Sequence, residues 1–172
     1  MRLFCAIDLN RSCRLALARY QARLREAGFA GRWTSQENLH LTLAFLGEQP
    51  DARRAAAAMA ETAGEPFSLT FGGLGRFSQR GGDVLYLAIS PSPALLDLQR
   101  GLNAALDRQG LKTEGRPYRP HITLARRVGA GPEPAAEPEF AAEIPVRGFW
   151  LMESRLRPEG AQYRRLIWRE LG

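Results

Sequence analysis

This chain contains only two histidines, two cysteines and a single lysine among its 172 residues, and each scarcity excludes something. Cys5 falls in an apolar run and Cys13 on the apolar stripe of a helix, so there is no disulfide framework, only small buried side chains suited to a reducing compartment. Two histidines with no carboxylate following at ligand spacing disfavour a metal site. No stretch is long and apolar enough to span a membrane, and the N-terminal apolar run is broken by Asp8, unlike a signal peptide. A soluble, cytoplasmic protein is expected. A nucleophile elbow is also missing, which excludes Ser/His/Asp hydrolysis. Gly72-Gly73-Leu74-Gly75 does not open a helix as a nucleotide-binding loop would, and reads as a bend after a strand. No cofactor is expected. Lysine is all but replaced: of 24 basic residues 23 are arginine, and the formal charge is +6. That balance points to an anionic partner, although arginine spread over solvated surfaces would give the same count.

The two histidines sit in near-copies of one phrase, His40-Leu41-Thr42-Leu43-Ala44 and His121-Ile122-Thr123-Leu124-Ala125. In an extended strand alternate side chains share a face, so each His and the Thr two residues on point one way while Leu41/Leu43 or Ile122/Leu124 point the other. One face is polar and reactive; the other is core. Residues 39–46 read as a strand ending at Gly47, and Pro120 and Arg126-Arg127 bound the second phrase, so both phrases belong on strands.

The histidines are 81 residues apart, and sliding the chain on itself by that offset aligns more than the phrases. Residues 3–9 fall on 84–90, two apolar runs of strand type. Asn10 looks like an N-cap for a helix over 11–27, with Cys13, Leu17, Tyr20 and Leu24 at helical spacing and Gly28 as the stop. Its counterpart has Ser92 before Pro93, then Leu95, Leu98, Leu102 and Leu106, stopping at Gly110. Residues 67–73 fall on 148–154, two further candidate strands, with an Ala-rich helix over 51–63 before the first. Many α+β chains slide onto themselves tolerably; the repeated His-x-Thr is what favours duplication. The expected architecture is α+β, a single domain over residues 1–172 made of two pseudo-symmetric lobes about a pseudo-twofold axis. A chain of this length has a radius near 16 Å, so the two phrases can meet.

Arg116, Arg119, Arg126 and Arg127 bracket the second phrase, with Tyr118 among them. Guanidinium groups suit phosphate oxygens and an aromatic ring can stack on a base. Residues 129–139, rich in Gly, Pro, Ala and Glu, read as a surface loop.

The two phrases, together with Trp33, Glu37-Asn38-Leu39-His40-Leu41-Thr42-Leu43, Phe45-Leu46-Gly47, Gly73-Leu74-Gly75-Arg76-Phe77 and Arg116-Pro117-Tyr118-Arg119-Pro120-His121, resemble the two-histidine (2H) phosphoesterase superfamily. More narrowly they resemble its RNA 2',3'-cyclic phosphodiesterases, also called 2'-5' RNA ligases. Phe4-Ala6-Ile7-Asp8 near the start and Ser154-Arg155-Leu156, Gly160-Ala161 and Tyr163 near the end match as well, so the resemblance spans nearly the whole chain, without departure at the motif positions. It implies a duplicated bilobal fold, with two antiparallel sheets lining a central cleft and helices on the outer faces, and no metal requirement.

Opening a cyclic phosphodiester with water needs a base on the attacking side and an acid at the leaving oxygen, and imidazole can be either near neutrality. Thr42 and Thr123 are placed to donate to the phosphate oxygens. The resemblance implies His40 as proton donor to the 3' oxygen and His121 as proton acceptor from water, leaving a 2'-phosphomonoester. Phe45, Tyr118, Arg119 and Arg126 are candidate substrate contacts. The expected partner is RNA with a 2',3'-cyclic phosphate end, tRNA fragments among the candidates, or a small cyclic nucleotide, met by a monomer. A histidine on a strand is usually structural and a threonine there usually reflects β-propensity; it is the matched pair that argues for chemistry. An RNA-binding module, or a 2'-5' RNA ligase in which hydrolysis is incidental, remains the other functional class. Retention of both histidines and both threonines favours the hydrolase, since binding alone needs neither acid nor base.

Overall fold

A computed structural model describes residues 1–131, 143–158 and 160–172 of the chain. The loop expected over 129–139 therefore lies, from residue 132 onward, outside the described residues. Both long helices start where their caps predict. Asn10 accepts from the Cys13 amide at the head of α1 (Arg11–Glu26), and Ser92 accepts from the Leu95 amide at the head of α3 (Pro93–Arg108), where Pro93 occupies the first turn. Gly28 and Gly110, with φ of 101° and 73°, turn the chain out of the two helices. The apolar stripes are buried as spaced: Cys13, Leu17, Tyr20 and Leu24 on α1, and Leu95, Leu98, Leu102 and Leu106 on α3. The Ala-rich helix α2 (Arg53–Glu61) buries Ala55, Ala58 and Met59 and packs along α3.

The strands form two four-stranded antiparallel sheets. The first has the order β10 (Gly160–Glu170), β9 (Gly148–Arg157), β1 (Arg2–Asp8), β3 (His40–Glu48). The second has the order β2 (Arg32–Trp33), β7 (His121–Val128), β6 (Asp83–Ile89), β5 (Phe71–Phe77). β1 and β6 are related by the offset of 81 residue for residue, and each pairs with the His-x-Thr strand of its own half. The other neighbour of each is exchanged: β5, which follows β3 in the chain, pairs with β6, and β9, which follows β7, pairs with β1. Each half lends two strands to the sheet of the other, β2 and β5 from the first and β9 and β10 from the second. β4 (Phe67–Leu69) pairs antiparallel with β8 (Ile144–Val146), as two equivalent strands do across a twofold axis perpendicular to them.

Two expectations are corrected. Residues 67–73 are not one strand: the chain breaks after Leu69 and restarts at Phe71, because β4 and β5 belong to different sheets. Gly72 to Gly75 are not a bend after a strand but lie inside β5, where a Cβ on Gly75 would collide with the ring of Tyr86 on the paired strand.

Candidate active site

Both histidines open their strands, and both are fixed in the same way. His40 Nδ1–H donates to the carbonyl of Asn38 at 2.7 Å, and His121 Nδ1–H donates to the carbonyl of Arg119 at 2.6 Å. A backbone acceptor two residues upstream thus fixes the tautomer and leaves Nε2 of each ring for chemistry. Two aromatic rings clamp each imidazole. Phe4 and Tyr163 lie 5.1 and 5.2 Å from His40, and Phe77 and Tyr86 lie 5.0 and 5.3 Å from His121, centroid to centroid.

The strand alternation does not run unbroken. Opposite β1, Cys5 pairs with Ala44 and Ala6 with Thr42, so Leu43 is an extra residue; opposite β6, Leu85 pairs with Ala125 and Tyr86 with Thr123, so Leu124 is extra. Each is a one-residue β-bulge at the same place in the phrase. Both the bulge residue and the alanine after it are buried, and the residue five past each histidine, Phe45 or Arg126, comes round to the side of His and Thr. Strict alternation would have sent both into the core.

Thr42, Phe45, Tyr118, Arg119, His121, Thr123 and Arg126 line one cleft of about 770 Å³. His40 is set back behind Thr42, whose hydroxyl lies 3.0 Å from its Nε2. The Tyr118 hydroxyl donates to the Thr42 carbonyl at 2.9 Å, tying the segment before β7 to β3, while its ring still borders the cleft. Arg116 also reaches the cleft, paired with Glu114 at 3.6 Å; exposed Arg127, the one non-glycine with positive φ among the described residues, does not line it. Residues that sequence reasoning missed include Arg76 and Phe77 from β5 and Gln99 and Asn103 from α3, so one helix contributes to the cleft wall. The aromatic clamps were also missed. Phe4, Phe77 and Tyr163 stand among the residues that carry the family resemblance, with nothing to mark them as clamps, and Tyr86 shows only as an aromatic on the strand that pairs with the second phrase.

The electrostatics are asymmetric. Burial holds both imidazoles below the ordinary histidine value, the guanidinium of Arg126 lowers both further, and that of Arg14 lowers His40 as well. At His40 the bond to Asn38 and the carboxylate of Asp8 pull the other way; at His121 only the bond to Arg119 does. Asp8 ends β1 directly opposite His40 and is itself paired with Arg14 and Arg165.

Paired sheets that bring two His-x-Thr phrases to one cleft define a 2H phosphoesterase fold. The family model of the 2'-5' RNA ligase superfamily matches residues 14–157, and the chain belongs to that superfamily. A Thermus thermophilus protein named RNA 2',3'-cyclic phosphodiesterase is 35% identical over 176 residues, covering 95% of this chain and 86% of the relative. An Archaeoglobus fulgidus protein of the same name is 31% identical over 176 residues, with 96% and 98% covered. Among solved structures, E. coli LigT complexed with 3'-AMP matches with a TM-score of 0.86 at 31% identity, covering 99% of this chain and 97% of that one.

Proposed function

We propose that this protein hydrolyses RNA 2',3'-cyclic phosphodiester ends to 2'-phosphomonoesters without a metal, with His40 as proton donor and His121 as proton acceptor. The observation that carries the reading is the matched fixing of the two imidazoles, each held through Nδ1 by the carbonyl two residues upstream so that Nε2 is the nitrogen left to exchange a proton, that of His40 lying against the Thr42 hydroxyl. In the forward step water attacks phosphorus, its proton passes to His121 Nε2, and the P–O3' bond breaks as His40 Nε2–H protonates the departing 3' oxygen. The two rings finish with their protonation exchanged, and solvent restores them. Two imidazoles carry both proton transfers, so the scheme needs no Lewis acid. Asp8, which faces His40 and has no counterpart at His121, favours the His40 imidazolium and so suits a proton donor there, against the opposing charge of Arg14.

Thr42 and Thr123 donate to the non-bridging oxygens, where charge builds. In the neutral state the Thr42 hydroxyl is engaged by His40 Nε2, so protonation of His40 releases it for the phosphate. Arg126 and Arg119 hold the phosphate backbone, while Phe45 and the ring of Tyr118 offer stacking faces. Names of relatives support RNA ends as the substrate, and four cleft arginines, Arg76, Arg116, Arg119 and Arg126, suit a chain of phosphates better than one cyclic nucleotide. The reading extends to tRNA fragments as one source of such ends and to a monomer of one two-lobed domain. The buried free thiols, with Cys5 pushed up to about 12 and Cys13 to about 11 by desolvation, fit a cytoplasmic setting.

The test is incubation of the purified protein with a nucleoside 2',3'-cyclic phosphate in EDTA, resolving the two monophosphates. A 2' product formed in chelator is expected. A 3' product overturns the polarity, and activity restored only by a divalent ion overturns the metal-free scheme.

A further inference from the structure

The bulges that turn Phe45 and Arg126 toward the cleft are each gripped by a buried glutamine that the chemistry does not use. On β7 the carbonyl of the bulge residue Leu124 accepts from Gln21 Nε2 at 3.0 Å, and the same amide donates to Thr34 O at 2.9 Å. On β3 the carbonyl of the bulge residue Leu43 accepts from Gln99 Nε2 at 3.4 Å. Gln21 lies on α1 and Gln99 on α3, so the helix of each half reaches the His-x-Thr strand of the other. Both are among the few buried polar residues, at 4% and 8% exposure. A bulge leaves its extra residue without a partner in the ladder it interrupts, although the Leu124 carbonyl also accepts from the Thr34 amide at 2.9 Å on its other side; a buried side-chain amide is costly unless bonded. An apolar residue would fill either helix face without that cost; the same amide on the same bulge residue in both halves argues for a specific purpose.

We propose that Gln21 and Gln99 are positioning residues that lock the one-residue bulges and thereby aim Arg126 and Phe45 at the substrate. Without the lock the strand is free to return to regular pairing, and a one-residue slip turns every side chain beyond it to the opposite face. The inference rests on the reading that Arg126 and Phe45 contact substrate.

The experiment is a double-mutant cycle of Gln21→Met, close in shape but without the donor, with Arg126→Ala. It is read as kcat/KM and its salt dependence on a short oligonucleotide ending in a 2',3'-cyclic phosphate, with thermal unfolding as the control for folding. Gln21→Met is expected to lower kcat/KM by about 10- to 100-fold, to flatten the salt dependence as Arg126→Ala does, and to add nothing on the Arg126→Ala background. The inference is overturned if folded Gln21→Met keeps wild-type kcat/KM, if the two losses multiply, or if Gln21→Met is damaging while Arg126→Ala is silent. Silence of Arg126→Ala, whatever Gln21→Met does, overturns the substrate contact of Arg126 as well, whereas a wild-type Gln21→Met beside a damaging Arg126→Ala overturns the inference and leaves that contact standing. Should Gln21→Met not fold, the cycle of Gln99→Met with Phe45→Ala asks the same of β3 through its longer, single bond, with the same expected non-additivity and the same refutation.

Discussion

Replacing Gly75 by alanine should damage catalysis from a residue outside the cleft, and the size of the effect follows from distances around Tyr86. Gly75 pairs with Tyr86 across β5 and β6. A Cβ on it would lie 2.4 Å from both Cζ and Oη of the tyrosine, where ordinary contact begins at 3.4 Å. The ring must therefore retreat by about 1 Å. It has little room to do so alone, since Phe77 stacks on it at 4.1 Å and both rings contact His121. The displacement passes to the imidazole. Overpacking of this kind costs about 1–3 kcal/mol, which for a chain of this size lowers Tm by roughly 2–12 °C. A shift of about 1 Å in a reacting group costs up to about 100-fold in rate. The assay is kcat on a nucleoside 2',3'-cyclic phosphate well below the new Tm, with Gly73→Ala as the control, because a Cβ there meets nothing within 4 Å. Wild-type kcat in Gly75→Ala would refute the view that the aromatic clamp positions His121.

Three more outcomes are expected. Thr42→Val and Thr123→Val keep strand shape but remove the donor, and each should cost about 2.7–4 kcal/mol in kcat, on the order of 10²–10³-fold, measured by single-turnover kinetics. Arg119→Ala and Arg126→Ala should raise KM more for an oligonucleotide than for a mononucleotide and flatten the salt dependence, as titration across ionic strengths would reveal. Asp8→Asn removes the anion that favours His40 imidazolium and releases Arg14 and Arg165, so the alkaline limb of the pH–rate profile, where the acid is lost, should move to lower pH while the acid limb stays. The same downward shifts set the stability trend. Unfolded histidines titrate at the ordinary 6.5, above the folded values, so the unfolded chain takes up protons first and stability should fall as pH drops below that range.

Much of the frame is legible in residues whose signal is local. Asn10 and Ser92 cap helices because a side-chain oxygen before an apolar stripe has one favourable use there. The offset of 81 aligns β1 with β6 because nothing is inserted between each of these strands and the phrase it pairs with. The exchange of β5 and β9 is not legible, since which sheet a strand joins depends on contacts far along the chain. The bulges are invisible for another reason: a single extra residue leaves composition unchanged and reverses the alternation beyond it. Strict period-two reading would place Ala44 and Ala125 beside the histidines, whereas the structure has Phe45 and Arg126 there. Gly75 misleads similarly, because a glycine that makes room for a tyrosine across the ladder looks like one that makes a turn.

The central claim is that two opposed imidazoles perform the whole proton transfer. Its most direct measurement is single-turnover hydrolysis of a nucleoside 2',3'-cyclic phosphate in EDTA by His40→Ala and His121→Ala, each checked for folding. The account predicts a loss of about 10²–10⁴-fold in each variant; near-wild-type turnover by either one would contradict it.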